Sequence, residues 1–193
     1  MEKNDIIENT GHDAKGAKGF DYQFLYFINR LLKMVEKGDV VFYEKYDDVS
    51  MSSDEGLVYF QLKHTIGGSN QKTVNLSLRD HDLWKTIAVW IDITNKQDKD
   101  KRIDFLESNS FVLVTNKNSV NNSFWMELQK YQNGDISFDD LKKFYTKVYE
   151  ETRESKRKDV NAQKGKTTKG YIKCLIDFDY ADQLLKSMSI CFE

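Results

Sequence analysis

The chain contains no proline in 193 residues, against an average usage of about 5%; this absence carries no functional account of its own. Cysteine is almost as scarce. Cys174 and Cys191 are too few and too far apart in sequence for a metal knuckle or a disulfide framework, which points to a reducing compartment. Neither sign of charge dominates: 29 basic against 31 acidic residues leave a net charge of −2, so there is no global electrostatic pull toward nucleic acid and any such contact must come from a local patch. No apolar run approaches the roughly 18 residues of a membrane span, and the opening MEKNDIIENT has no apolar signal region. A soluble, cytoplasmic protein without membrane contact is expected.

What is present is the composition of one domain able to bury a real core, with aromatic residues at 13%. Residues 1–18 are polar and glycine-rich and read as a flexible arm. AKGAKG within them lacks the spacing and the Lys-Ser/Thr ending of a phosphate-binding loop. From Phe20, the residues Phe24, Phe27, Ile28, Leu31 and Val35 recur at helical spacing until Gly38 offers a cap, which predicts an amphipathic first helix. Two strands follow, DVVFYEKYDDV and VYFQLKH, with SMSSDEG between them as an open hairpin loop. Ser77 with Asp80 predicts the start of a second helix carrying Leu83, Ile87, Trp90 and Ile91. SFVLVTN, near residues 110 to 116, reads as a buried central strand. Further helices are predicted around Phe124 to Tyr131 and after Ser137, carrying Leu141, Tyr145 and Val148. The final stretch from Tyr171 returns to apolar character and is expected to pack on the core. No internal repeat is present. The order is that of an α/β domain over residues 19–193.

The chemistry concentrates between Glu44 and Lys63. Side chains alternate along a strand, so Glu44, Tyr46 and Asp48 share one face of the first strand while Lys45 and Asp47 point the other way. On the second, Gln61 and Lys63 share a face opposite Phe60 and Leu62. Charge at the ends of apolar strands is costly unless paired or metal-bound, which predicts that Glu44, Asp48 and Lys63 converge. Mg²⁺ takes one or two carboxylates, carbonyl oxygens and several waters. Asp48, the Gln61 amide oxygen and the Leu62 backbone carbonyl can supply that set. A metal there polarises a phosphate oxygen and activates water, while Lys63 steadies developing charge or orients the water.

The ordered set GFDYQ, EKYDDV, QLKH and a helix holding LWKTIAVW resembles the amino-terminal nuclease domain of bacterial anti-phage effectors. These are the CD-NTase-associated, Lamassu-type and HerA-partnered nucleases of the PD-(D/E)XK superfamily. The resemblance spans Gly19 to Trp90 with the motifs in order. It implies a restriction-endonuclease-like core, a central mixed sheet flanked by helices, and Mg²⁺-dependent cleavage of double-stranded DNA, with Mn²⁺ able to substitute. Asp48, Gln61 and Lys63 match the catalytic positions, Gln23 the helix residue that completes such sites, and Glu44 the acidic position upstream. Either of the adjacent Asp47 and Asp48 can be the metal ligand. Gln61 stands where the superfamily often has Glu or Asp, which removes a negative charge and lowers metal affinity unless Glu44 compensates.

Each signal also has a structural reading. Asp47 and Asp48 alone would begin a turn, Gln61 and Lys63 alone would be the solvent face of an edge strand, and His64, His12 and His81 would be structural hydrogen-bonders. Trp84 and Trp90 are six residues apart, one expected in the core and the other at its rim, with packing favoured over base stacking. The charged segment from Glu150 to Gly170, with Lys156, Arg157, Lys158, Lys164 and Lys166, is either a solvated surface or a DNA-facing arm that orders on binding. No base-reading cluster stands out, so a nuclease here should cut with little sequence preference. Cutting both strands needs two sites, which predicts a homo-oligomer when active. The chain is expected to be the amino-terminal part of a longer effector with a sensor or ATPase domain or subunit. The alternatives are a catalytically silent module of the same fold that binds nucleic acid or a partner subunit, and an RNase built on the same site.

Overall fold

The computed structural model describes residues 10–34, 38–65, 74–120, 122–153 and 167–193. Helix α1 (Thr10–Leu32) leads into a meander of β1 (Val40–Tyr43), β2 (Val49–Ser53) and β3 (Gly56–Lys63). Helix α2 (His81–Asn95), a 3-10 turn at Lys99–Lys101 and α3 (Arg102–Glu107) then lead to β4 (Asn109–Thr115). The chain closes with α4 (Ser123–Gln132), α5 (Phe138–Glu151), α6 (Thr168–Ile176), α7 (Ala181–Ser187) and β5 (Met188–Phe192). The five strands form one mixed sheet in the order β1-β2-β3-β4-β5. The first two pairings are antiparallel and the last two parallel. The α/β reading with a mixed sheet flanked by helices therefore holds.

Strand alternation sorts the core into two layers. Phe60, Leu62, Val49 and Val114 face α1, where Tyr26 packs on them. Tyr59, Phe111, Leu113 and Ile190 face the other way, onto a larger core that includes Trp84, Ile87 and Trp90 of α2. Both tryptophans are fully buried, so the rim position expected for one of them is not seen. Their indole N–H groups are satisfied, Trp84 by the Leu78 carbonyl at 2.8 Å and Trp90 by Asp47 at 3.0 Å.

Several boundaries differ from the sequence reading. The backbone of residues 10–18 belongs to α1, which starts about two and a half turns before the arm was expected to end and stops at Leu32; residues 1–9, like Val35, lie outside the described residues. The run from Asp39 to Val49 is not one strand. Pairing of Tyr43 with Val49, and a hydrogen bond from the Glu44 N–H to the Asp48 carbonyl, turn EKYDD into a hairpin loop. The serine-rich segment expected as a loop is largely β2, whose Val49 and Met51 face α1 while Ser50 is buried on the other side. The cap of α2 is Asp80 rather than Ser77. The Asp80 carboxylate accepts from the backbone N–H groups of Asp82 and Leu83, the arrangement that satisfies a helix start. At Ser137 the predicted start is correct, with a reciprocal capping box to Asp140. The apolar carboxy-terminal stretch packs on the core, and its last residues add a strand that hydrophobicity alone did not reveal.

Candidate functional site

The site lies where β2 and β3 part. Their ladder ends at the Val49–Phe60 pair, so the next outward-facing N–H of β3, on Leu62, has no backbone acceptor in β2. The Asp48 side chain supplies one: its Oδ2 accepts from the Leu62 N–H at 2.8 Å and from the Gln61 carboxamide nitrogen. Lys63 Nζ stands 3.9 Å from the same oxygen. Asp48, Gln61 and Lys63 are thus brought to one point. Gln61 is buried, whereas the Asp48 and Lys63 side chains keep about a fifth of their surface in solvent (19% and 21%). β3 is paired on both sides by β2 and β4. Beyond Phe60 only β4 pairs with it, so Gln61 and Lys63 stand at a local edge, yet Gln61 is buried there and does not lie on a solvent face.

Asp47 faces elsewhere. Its Oδ2 accepts from the Trp90 indole and its Oδ1 from the Asp48 backbone N–H at 3.0 Å. Burial pushes its carboxyl up to about 7, against the pull of the Trp90 hydrogen bond; the Asp48 charge adds to the rise and Lys63 opposes it. Asp47 ties the loop to α2, and Asp48 is the member of the pair that meets Gln61 and Lys63.

Two further predicted residues do not join this cluster. Glu44 is exposed, at φ +50°, and its carboxylate makes no hydrogen bond or ion pair among the described residues. The loop explains this, because the two-residue alternation that would have set Glu44 beside Asp48 stops at Tyr43. Gln23 lies on α1, across the sheet from the Gln61 and Lys63 side chains, and its buried Oε1 has no hydrogen-bond partner among the described residues. Lys156, Arg157, Lys158, Lys164 and Lys166 lie outside the described residues. Lys169, at the end of that segment, sits over the Tyr149 ring, 5.0 Å from its centre.

His64 is exposed and packs its ring against Tyr22 of α1 at 4.5 Å. The Tyr22 hydroxyl, raised by burial and then by its bond to Glu193, donates to that carboxylate at 2.6 Å. His81 is also exposed, beside Tyr171; the His12 side chain lies outside those described. Sequence reading missed a buried ion cluster at the start of α2, where Lys117 Nζ meets Asp80 at 2.7 Å and Asp82 at 3.0 Å. Burial pulls the Lys117 ammonium down, but the two carboxylates outweigh it and hold it above its ordinary value. A lysine two residues past a buried strand end was the available signal. It ties β4 to α2.

The donor set fits a hard cation. Among the described residues no three His, Cys, Asp or Glu side chains cluster, so the donors beyond Asp48 must be neutral oxygens. In a strand the N–H and C=O of one residue point to the same side, so the Leu62 carbonyl faces the same side as the N–H that Asp48 accepts. A half-turn of the Gln61 carboxamide directs Oε1 instead of its nitrogen toward Asp48. One carboxylate, one amide oxygen and one carbonyl, completed by water, is a set suited to Mg²⁺.

Compared with models of protein families, with curated proteins and with solved structures, the chain matches none of them. Among the described residues no helix is long and apolar enough to cross a membrane.

Proposed function

We propose that this chain is a metal-dependent endonuclease that cuts double-stranded DNA with little sequence preference, the effector of a prokaryotic anti-phage defence system. The observation that carries this reading is the meeting of Asp48, Gln61 and Lys63, the residues matching the D…QxK positions, at the fork between β2 and β3. The mixed sheet and the helix–strands–helix–strand order support it. Asp48, Gln61 Oε1 and the Leu62 carbonyl would hold Mg²⁺ or Mn²⁺. Such an ion, when bound, supplies Lewis acidity to a phosphate oxygen and lowers the pKa of water.

The chain's own residues do the rest. Lys63 holds a positive charge beside that point, where it steadies charge developing on the phosphate. Asp47 and Trp90 fix the loop that carries Asp48. Gln61, buried and neutral, orients without adding charge, which favours one cation over two. The reading extends to a cytoplasmic protein acting as a homo-oligomer, with a sensor or ATPase domain or subunit governing it.

A second reading has its own observation. Asp48 is already satisfied by Gln61, Leu62 and Lys63 without any cation, the arrangement of a silent module that uses the ion pair structurally. Incubation with plasmid and linear duplex DNA in Mg²⁺, Mn²⁺ or EDTA separates the two. The nuclease reading expects metal-dependent cutting that Lys63→Ala reduces by about 10²–10³-fold or more, with cation binding lost in Asp48→Ala. Cutting insensitive to EDTA, or unchanged in Lys63→Ala, would overturn it. An intact fold that neither cuts nor binds a cation would favour the silent module, and cutting of RNA alone would move the substrate to RNA.

A further inference from the structure

Helix α1 is apolar on more of its circumference than the sheet covers. Tyr22, Tyr26 and Phe27 pack on the sheet, and Arg30 lies over the Phe60 ring, 4.6 Å from its centre. Beyond these stand Phe20, Phe24, Leu25, Leu31 and Leu32, exposed by 57%, 50%, 65%, 45% and 80%, with Phe24 at the border where one edge of its ring meets Phe27 and Tyr43. With an aromatic side chain offering ~200 Å² and a leucine somewhat less, these exposures leave roughly 500 Å² of apolar surface on one helix. That is the size of the largest patch on a typical monomer, commonly a functional one.

We infer that this face of α1 is the surface through which two copies of the chain associate, helix against helix about a two-fold axis. The area matches a second copy. A standard interface buries about 800 Å² per partner, and a homodimer interface is about 65% apolar, so its apolar share is close to what the stripe supplies. A two-fold interface must be self-complementary, and a leucine- and phenylalanine-rich stripe whose one charge, Asp21, stands at its end can meet its own copy with that charge at the rim. With the two-fold perpendicular to the helices the pair runs antiparallel, and Asp21 stays at the rim of the contact, while Arg30 remains on the sheet side, donating to the Tyr26 hydroxyl.

This inference gives the homo-oligomer of the proposed function its surface, but it does not rest on catalysis, because Gln61 and Lys63 project from the opposite face of the sheet to α1. It places the interface behind the site and leaves both sites of a dimer open.

Sedimentation equilibrium of the intact chain, from sub-micromolar to sub-millimolar concentration, tests it. The wild type is expected to pass from monomer to dimer, and the double variant Leu25→Glu, Leu32→Glu to remain monomeric with an unchanged circular dichroism spectrum. Should that variant lose its fold, Leu25→Glu and Leu25→Lys serve instead: each alone is expected to be monomeric, and their equimolar mixture to recover the dimer mass, because Leu25 lies near the centre of the stripe. A wild type that stays monomeric throughout, or a dimer that survives these substitutions, would overturn the inference. Monomeric wild type would leave the stripe to a different occupant.

Discussion

Asp47 and Asp48 are sequence neighbours with opposite surroundings. Asp48 accepts from Gln61 and Leu62 and sits beside Lys63, while Asp47 is desolvated against Trp90. A carboxyl raised to about 7 binds its proton more tightly folded than unfolded. Its contribution to stability is therefore fully present below the ordinary carboxylate value and is lost as pH climbs through about 7. In EDTA the wild type is expected to lose stability between pH 4 and 7 by a slope that Asp47→Asn removes, as read from chemical denaturation at stepped pH. An unchanged slope in the variant would show that Asp47 titrates normally. Gln61 and Lys63 were legible in the sequence because their spacing needs only the period of a strand, whereas Asp48 reaches them from a loop that the sequence reads as strand. The split between Asp47 and Asp48 was not legible, since it depends on an indole more than forty residues away.

The elements that sequence read well are those whose signals are local. The capping box at Ser137, the apolar period of α2 and the continuous apolar run of β4 each announce themselves within a few residues. The β1–β2 hairpin does not. Its loop carries the charged EKYDD, its second strand the serine-rich VSMSS, and only the pairing of Val49 with Tyr43 on one side and Phe60 on the other reveals a strand. That misreading moved Glu44 onto the wrong surface. Gly56, which closes the next turn, is held by a tertiary contact: at φ +123°, a Cβ there would lie 1.9 Å from the Ser108 carbonyl oxygen. Backbone cannot yield as a side-chain tip does. Gly56→Ala is expected to destabilise by about 2–4 kcal/mol through strain and displacement of the β3 start from Asn109, measurable as a lowered denaturation midpoint. A loss below about 0.5 kcal/mol, the range of neutral surface changes, would mean that the turn relaxes freely.

At the scale of the whole molecule the sheet is covered unequally. One face meets the core built on α2 and the carboxy-terminal helices, and the other is covered by α1, with a smaller core around Phe60, Leu62 and Val114. Local opening follows buried apolar contact, so the two layers should not open together. Native-state hydrogen exchange is expected to show β3 and β4 amides exchanging only through global unfolding. The α1 amides should exchange through a cheaper, separate opening that leaves β4 protected. If α1 is also the surface of association, its protection should rise with protein concentration, because a partner that binds only the closed helix stabilises it by mass action. Equal protection of α1 and β4 at every concentration would instead make the molecule one cooperative unit. The position of Asp48 would then be as firm as the core itself. Separate opening of α1 would leave the Asp47–Trp90 bond closed, because it is anchored from the α2 side, but would uncover Val49, Phe60 and Leu62 at the β2–β3 fork, so the loop carrying Asp48 would keep its tie to α2 while the strands beneath it lost their cover.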